Sequence, residues 1–212
     1  MARPSTNIDA GRAQLLDVVE HLIRKRGGGP VTLTELAAEA GMSTANIYRF
    51  FASKEALFEA VAERWFEPKI RIMEQVVSSN LSAREKLYEF FARRFLLMRD
   101  GYLAEPELFV SYLDLGDQHE DIVRGFIDLG DHYLAMIVSQ AMDEGYFAGL
   151  TIDRTVSLIN LMLVPFIDPR HIITLMHSVS EEKLHQIVDA MLLGLREPGL
   201  ATPHLRLAAA AE

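Results

Sequence analysis

Apolar residues recur at steps of three and four along almost the whole chain, whereas alternating β-branched runs are missing. This periodicity is typical of helices that bury one face. The first stripe runs from Ile8 to Ile23 and ends at the glycine and proline run of residues 27–30, which is a strong helix break. The pattern therefore predicts an all-α protein, which capping and breaking signals divide into about nine helices.

Four of the predicted helices begin at a hydroxyl residue that can cap them. Thr32 and Ser82 are each followed three residues later by a glutamate, which is the signature of a capping box. Ser43 and Ser53 are placed to cap a third and a fourth helix. Gly41 can adopt the left-handed conformation that ends the second helix.

The remaining helices follow the aromatic-rich one that starts at the second capping box. The sequence predicts short helical pieces at residues 106–115, a long helix at 120–146, and two last helices at 153–164 and 181–195. The tail after Pro198 has no apolar pattern, and we expect it to be frayed.

The composition is that of an ordinary soluble globular protein, with 50% hydrophobic and 24% charged residues among 212. The absence of cysteine excludes disulfide scaffolds, thiolate zinc sites and cysteine nucleophiles. The net charge of −9 opposes nucleic-acid binding by the chain as a whole. However, the first 64 residues hold eight basic and eight acidic side chains, so all nine excess negative charges lie after them. The first third of the chain can therefore meet DNA without repelling it.

The sequence contains no signal peptide and no stretch of membrane-spanning length. Residues 1–7 are polar where a signal peptide needs about 7 to 15 apolar residues. The longest apolar window, Leu158 to Ile167, is interrupted by Asn160 and Pro165 and is shorter than the roughly 20 residues that cross a bilayer. We therefore expect a cytoplasmic protein without a membrane partner.

Residues 31–57 have the helix, tight turn, helix arrangement of a DNA-reading helix-turn-helix. Leu36, Ala37 and Ile47 are expected to form its small inner core. The side chains left exposed on the second helix of the motif are Thr44, Ala45, Asn46, Tyr48 and Arg49. Asparagine, arginine and the methyl groups of threonine and alanine can contact base edges. Tyr48 and Lys54 are suited to phosphate contacts, which fix the register on DNA.

In these residues the chain resembles the DNA-binding domain of the tetracycline-repressor (TetR) family of bacterial transcriptional regulators. The matching elements are Thr32, Thr34, Leu36-Ala37, Gly41-Met42-Ser43, Ile47-Tyr48-Arg49, Phe51 and Ser53-Lys54-Glu55-Ala56-Leu57. The resemblance implies a DNA-binding domain at residues 1–56, with its motif at about 32–51, and a ligand-binding and dimerisation domain at residues 57–212. It also implies that the third helix enters the major groove. The complete set of expected DNA contacts is Thr32, Thr34, Thr44, Ala45, Asn46, Tyr48, Arg49 and Lys54.

The chain departs from the family's usual pattern at three places. Phe50 stands where a histidine is common, Ala45-Asn46 replaces a frequent Gly-Thr pair, and Gly29-Pro30 replaces the usual Gly-aromatic pair. The first two departures lie on or beside the reading face, so the operator sequence does not transfer from a relative.

The last two predicted helices carry more apolar surface than one protomer readily covers. A two-fold four-helix interface is the simplest way to bury it, and the family resemblance implies the same interface. A helix threaded through the centre of a monomer is the alternative. The expected interface residues are Val156, Ile159, Leu163, Leu184, Ile187, Val188, Met191 and Leu195.

Apolar and aromatic residues on consecutive helices of the second domain can line a cavity or equally fill a core. The resemblance favours a pocket for a small apolar or aromatic effector. The candidate residues are Phe91, Phe95, Met98, Tyr102, Phe109, Tyr112, Phe126, Tyr133 and Met136. Asp128 and His132 lie one helical turn apart, but a solvated face explains them more simply than a metal site. We therefore expect neither a metal nor a cofactor.

The sequence thus predicts a homodimeric transcriptional regulator, a repressor released from a palindromic DNA operator by a small effector. One rival is an activator or a ligand-independent regulator of the same fold. Another is a helical enzyme or protein-interaction module. The hydrolase, metalloprotease and nucleotide-binding motifs are missing from the sequence, which disfavours an enzyme.

Overall fold

The computed structural model describes residues 7–196. Within that range the chain forms eleven helices and no strand, which confirms the all-α prediction. None of these helices is both long and apolar enough to cross a membrane. The polar start before Asn7 and the tail predicted to fray after Pro198 lie outside the described residues. The helices are α1 Ile8–Arg26, α2 Leu33–Glu39, α3 Thr44–Ile47, α4 Lys54–Val77, α5 Ala83–Ala104, α6 Pro106–Gln118, α7 Glu120–Asp143, α8 Ile152–Met162, α9 Val164–Ile167, α10 Pro169–Leu175 and α11 Glu181–Gly194.

The predicted capping residues stand at the helix starts. The side-chain oxygens of Thr32, Ser43, Ser53 and Ser82 each accept a hydrogen bond from the backbone N–H three residues later. At Thr32 and Ser82 the glutamate side chain completes the capping box. Gly41 follows α2 with a φ of +64°, in the left-handed region that favours glycine. Local sequence signals therefore set these boundaries.

The chain has two helices more than predicted, both between residues 162 and 176. The helix predicted at 153–164 ends at Met162. Pro165 and Pro169 then occupy the first turns of α9 and α10. Proline is favoured at a helix start because an N–H there has no partner within the helix. The region that begins with the helix predicted at 153–164 therefore forms three helices, α8, α9 and α10, the last two of which begin at or next to these prolines.

The helices enclose two apolar cores. The first core joins α1–α3 to the start of α4, and Leu108 and Tyr112 of α6 close it. The second core lies among the later part of α4, α5 and α7–α11. The packing of the predicted DNA-binding domain therefore extends beyond residue 56. The buried members of the first core are Leu15, Val19, Leu22, Ile23, Val31, Leu36, Ala37, Ile47, Phe51, Leu57, Ala60, Val61, Leu108 and Tyr112.

Helix α4 belongs to both cores. Its first turns bury Leu57 and Val61 in the first core, and a later turn buries Met73 in the second. Trp65 lies between these positions and packs against both cores. Its ring stacks on that of Tyr112, with 4.6 Å between the ring centroids. Helix α4 is thus the rigid element that the two parts of the chain share.

Polar contacts also fasten α1 to α6. The Tyr112 hydroxyl donates a hydrogen bond of 2.7 Å to Glu20. Burial, together with this carboxylate, raises the pKa of Tyr112, so the hydroxyl keeps the proton that it donates. The Arg24 guanidinium pairs with Glu105 at the start of α6. A movement of α6 is therefore transmitted to α1.

Ser82→Ala is expected to lower the free energy of unfolding by about 1 kcal/mol, because α5 loses its capping box. Chemical denaturation at a fixed protein concentration measures the change. Ser139→Ala on the exposed side of α7 is the matched control, and it should change the stability by less than about 0.5 kcal/mol. Equal stabilities of the two variants would contradict the role given to Ser82.

Candidate nucleic-acid interface

The turn between α2 and α3 is built around a small buried cluster. Leu36, Ala37 and Ile47 are all buried in the first core, as the sequence predicts. Gly41 lets the chain reverse, and the Met42 N–H donates a hydrogen bond of 2.9 Å to the Ala37 carbonyl. The inner side of α3 is thereby fixed against α2, which leaves its outer side to solvent.

The outer side of α3 presents small and polar side chains. Tyr48 is 48% exposed, and Ala45 and Arg49 are also exposed. Thr44 and Asn46 are half-buried at the edge of this surface. Arg49 Nη1 donates a hydrogen bond of 3.2 Å to Asn46 Oδ1. The guanidinium and the amide that are predicted to read bases therefore lie side by side.

Residues of α2 and α4 flank this surface. Thr34 and Lys54 are exposed, and the Lys54 ammonium lies 5.5 Å from the ring centroid of Phe58. The Thr32 hydroxyl donates to the Glu35 carboxylate at 2.7 Å and accepts from the Glu35 N–H at 3.2 Å. The hydrogen bonds that the Thr32 hydroxyl and the Thr32 N–H donate to this carboxylate lower the pKa of Glu35. Capping of α2 is thus the role of Thr32 that the structure displays.

Cations of α1 neutralise the carboxylates near this surface. Arg26 pairs with Glu35 at 3.2 Å, and Lys25 pairs with Glu39 at 3.0 Å. The hydrogen bond from Lys25 holds the pKa of Glu39 below its usual value. These acidic groups therefore oppose an approaching phosphate less than free carboxylates would.

Phe50 packs inward against α1. A Cβ atom added to Gly11 would collide with the Phe50 ring, so the ring occupies the space that the glycine leaves. Phe50 is half-buried beside the first core. Its departure from the usual family pattern therefore serves the contact between α1 and the α3 region.

The structure distributes the nine predicted pocket residues over two regions. Seven of them lie in or against the second core: Phe91, Phe95, Met98, Tyr102, Phe109, Phe126 and Tyr133. Tyr112 belongs to the first core, and the Met136 side chain is exposed on α7. Tyr112 and Met136 are predicted to line the pocket because of their residue types and their helices. The packing separates both of them from the other seven residues.

A cleft of about 920 Å³ opens between α1, α4 and α7. Leu16, Phe66 and Phe126 belong to its apolar lining, and the rings of Phe66 and Phe126 stack 4.2 Å apart. Asp9 and Glu63 lie among the charged residues that line it. Of the nine predicted pocket residues, Phe126 is the one that lines this cleft.

A smaller cavity of about 490 Å³ lies between α7 and α8. Asp128, Asp131 and His132 line it. Asp131 accepts a hydrogen bond of 2.6 Å from Asn160, which is also part of the lining. In residues 7–196 no three acidic or histidine side chains converge as metal ligands.

Most of the predicted dimer-interface residues lie inside the protomer. Six are buried in the second core: Val156, Ile159, Leu163, Leu184, Val188 and Met191. Within the protomer the regular apolar stripes of α8 and α11 pack toward α7 and α5, so these six side chains face the second core. Ile187 and Leu195 are half-buried beside the same core.

A second set of apolar residues on these two helices points outward. Leu161 on α8 and Leu193 on α11 are 72% and 81% exposed. Met162 at the end of α8 is also exposed. Exposed leucines therefore lie on both α8 and α11, outside the second core.

Three cations are buried on α4 and α5, and the sequence pattern singles out none of them: Lys69, Lys86 and Arg94. Lys69 on α4 is 5% exposed and Arg94 on α5 is 8% exposed. Burial lowers the pKa of Lys69 to about 7 and that of Arg94 to about 9. From the amino-acid type alone, Lys69 and Arg94 would both be expected at the solvent-exposed surface. Their positions on the apolar faces of two helices are the signal that could have identified them.

Comparison with known proteins identifies both parts of the chain. Residues 15–61 match the family model of the bacterial regulatory proteins of the tetR family. Residues 83–188 match that of the tetracyclin repressor-like C-terminal domain. The fatty acid metabolism regulator protein of Bacillus subtilis (strain 168) is 28% identical over 156 residues, which cover 68% of this chain and 80% of that protein.

Solved structures share the fold. A proposed transcriptional regulator from Pseudomonas aeruginosa PAO1 superposes with a TM-score of 0.69 at 18% identity, covering 88% of this chain and 90% of that one. The transcriptional regulator FadR from Bacillus subtilis in complex with stearoyl-CoA superposes with a TM-score of 0.56 at 19% identity, covering 86% of this chain and 98% of that one. The helical arrangement is therefore that of known regulators.

Lys69→Met is expected to raise the free energy of unfolding at pH 7 by about 1 to 4 kcal/mol, because it removes a charge that burial disfavours. The pKa of Lys69 is about 7 in the folded chain against 10.5 for the free side chain. The unfolded state therefore binds more protons between these values, and the wild type gains stability as the pH rises through this window. The advantage of the variant should shrink accordingly toward pH 10.

Denaturation at a series of pH values checks this prediction. Arg71→Met is the control, because Arg71 is exposed and pairs with Glu67 on the same helix. A Lys69→Met protein that is less stable than the wild type at pH 7 would show that the ammonium stabilises the core.

Proposed function

The chain belongs to the tetracycline-repressor family of bacterial regulatory proteins, and on this basis we propose that it is a homodimeric repressor of transcription. We further propose that a small apolar or aromatic effector releases it from a palindromic operator. DNA binding and transcriptional regulation follow from the family. The dimer, the operator symmetry, the effector and the sign of regulation belong to the proposal.

The outer surface of α3 is the observation that carries the proposal. It combines a half-exposed tyrosine, an arginine bonded to an asparagine, and a lysine at the start of the next helix: Tyr48, Arg49, Asn46 and Lys54. Arginine and asparagine hydrogen-bond base edges in the major groove. Tyrosine and lysine suit phosphates on either side of it. The paired carboxylates nearby leave this surface free to approach the DNA backbone.

The exposed leucines of α8 and α11 support a homodimer. Leu161 and Leu193 present apolar surface on these helices, which are the two longest of the last four in the described chain. Two copies related by a two-fold axis would bury these residues in a four-helix interface. The same axis would place two α3 helices for successive turns of one face of the DNA, about 34 to 36 Å apart.

Helix α4 supports a mechanism for release. It begins at Lys54 beside the α3 surface and ends at Val77 inside the second core. An effector that prefers a dimer with a different α3 separation lowers the affinity for the operator through that preference alone.

If the chain is a repressor, deletion of its gene should raise the expression of a reporter placed behind the operator. A fall in expression would make the chain an activator.

The second core supports an apolar effector. Seven of the predicted pocket residues lie in or against it, and six of those seven are aromatic residues of α5, α6 and α7. FadR from Bacillus subtilis, which shares this fold, holds stearoyl-CoA. An effector with a long apolar or aromatic body would fit between the same helices here, with flexible methionines such as Met98 adjusting to it.

Tyr48→Ala and Lys54→Ala should each weaken binding to a DNA duplex selected from a random pool by about tenfold, because each removes a phosphate contact. Lys54→Ala should also reduce the slope of log affinity against log salt concentration by about 1. Fluorescence anisotropy at several salt concentrations measures both effects. Lys183→Ala on α11 is the control. Wild-type affinity in both variants would refute the DNA-contact assignment, and salt-independent binding would favour a protein partner.

Leu161→Glu and Leu193→Glu should each convert the dimer into a monomer, because they place a carboxylate in an apolar interface. Sedimentation velocity of the purified protein measures the change. Leu103→Glu is the matched control, since Leu103 is a similarly exposed leucine at the end of α5. A dimer that persists in both interface variants would place the contact elsewhere.

A further inference from the structure

Three cationic side chains of α4 and α5 are buried, and two of them, Lys69 and Arg94, hold their charges against aromatic rings. Among the residues that the structure describes, neither Lys69 nor Arg94 forms an ion pair, although both side chains are nearly inaccessible to solvent. Buried charges are normally paired, because an isolated ion loses its hydration without compensation. Two such cations in one core therefore require an explanation other than stability.

The ammonium of Lys69 lies among aromatic rings. Its Nζ donates a hydrogen bond of 2.7 Å to the carbonyl of Trp65, one turn earlier on α4. It also lies 3.4 Å from the ring centroid of Trp65 and 5.8 Å from that of Phe66. An ammonium can donate three hydrogen bonds. Lys69 uses one of these three N–H groups for the Trp65 carbonyl, so the other two can donate to a further acceptor.

The guanidinium of Arg94 has a similar environment on α5. Its Nε donates 2.9 Å to the Phe90 carbonyl, and its Nη1 lies 3.4 Å from Met73 Sδ, a weak acceptor. The Phe90 ring covers it at 4.0 Å. The charge of Asp131 on α7 acts on Arg94, but that carboxylate accepts its hydrogen bond from Asn160. The nitrogen of Arg94 that has no such partner is not fully buried, so it remains accessible to another group.

The two cations lie at one helix interface. Met73 is one turn beyond Lys69 on α4 and touches Arg94 on α5. On the third side, a Cβ atom added to Gly130 of α7 would lie 3.9 Å from Arg94 Nη1. The interface of α4, α5 and α7 thus contains two cationic donors, aromatic surfaces and an adaptable thioether side chain.

We propose that Lys69 and Arg94 form an anion-binding site, and that the effector is an amphipathic anion with an apolar or aromatic body. This inference rests on the effector-responsive function proposed above and names the chemical class of the effector. Its carboxylate, sulfonate or phosphate group accepts the free hydrogen bonds of both cations. Its apolar body replaces contacts of Met73 and Met98, whose side chains adapt to neighbours of different shape. Because Lys69 rests on Trp65, the bound anion also acts on the residue that joins the two cores.

The charge requirement can be tested with two fluorescent dyes that share one aromatic body. The probes are 1-anilinonaphthalene-8-sulfonate and its uncharged analogue N-phenyl-1-naphthylamine, titrated into the full chain. The wild type should bind the sulfonate at least about tenfold more tightly, because charge-assisted hydrogen bonds add to the apolar contacts. Lys69→Met and Arg94→Met should each remove this preference by weakening sulfonate binding, with affinity for the uncharged dye kept within about twofold.

Exposed cations on the same helices provide the controls. Arg71→Met and Arg93→Met remove cations that pair with Glu67 and Glu89 on the surface, and they should leave the preference intact. Arg94→Lys keeps a cation and should retain part of the preference, which preserves the test if Arg94→Met does not fold. Equal binding of the two dyes by the wild type would overturn the proposal. An undiminished preference in both Lys69→Met and Arg94→Met would also overturn it, and if Arg94→Met does not fold, an undiminished preference in both Lys69→Met and Arg94→Lys would do so.

Operator binding distinguishes this inference from the function on which it rests. If the chain binds a selected DNA duplex but shows no dye preference, the anion site is wrong and the regulator remains. If the preference is present and depends on Lys69, but the sulfonate dye leaves DNA binding unchanged, the anion site stands and its coupling to DNA is wrong.

Discussion

Trp65 is the side chain on which the connection between the two cores depends. Its ring stacks on Tyr112 at 4.6 Å, meets Phe109 edge-on at 4.9 Å, and carries the ammonium of Lys69 on its face at 3.4 Å. Pro68, which follows within α4, has no N–H for the helix ladder. The helix is thus packed tightly at its sides but lacks one axial hydrogen bond where it passes between the cores. Reorientation of either half must change the contacts of Trp65.

This arrangement links the chemistry of the second core to the geometry of the first. The first core holds α3 against α2 and so fixes which side chains face outward. Helix α6 contributes Tyr112 to that core and is tied to α1 through Glu20. A group that binds between α4, α5 and α7 can therefore reposition α3 without touching it. Uncompensated charge at Lys69 lowers the stability of the unliganded state, and an anion that offsets this charge would favour a different packing.

Local signals in the sequence are sufficient to predict the caps and the turn around α3, whereas burial in the second core depends on tertiary packing. The caps at Thr32 and Ser43 and the turn at Gly41 act within a few residues, so their roles can be inferred without knowing the fold. The apolar periodicity of α8 and α11 is just as clear, but it cannot say whether a stripe faces its own protomer or a partner. Leu161 and Leu193 lie outside these regular stripes, so the periodicity does not identify them as the exposed apolar residues. Lys69 and Arg94 were missed because only the surrounding rings reveal that they are buried.

The central claim is that the chain reads DNA as a two-fold dimer, and selection of binding sites from random duplex DNA tests it most directly. The purified chain would first be unfolded and refolded to remove any bound small molecule. The account predicts enrichment of a palindrome whose half-sites are centred about 10 base pairs apart or a multiple of that distance, because two α3 helices must enter major grooves on one face of the DNA. Recovery of an asymmetric single site, or no enrichment by the ligand-free protein, would contradict it.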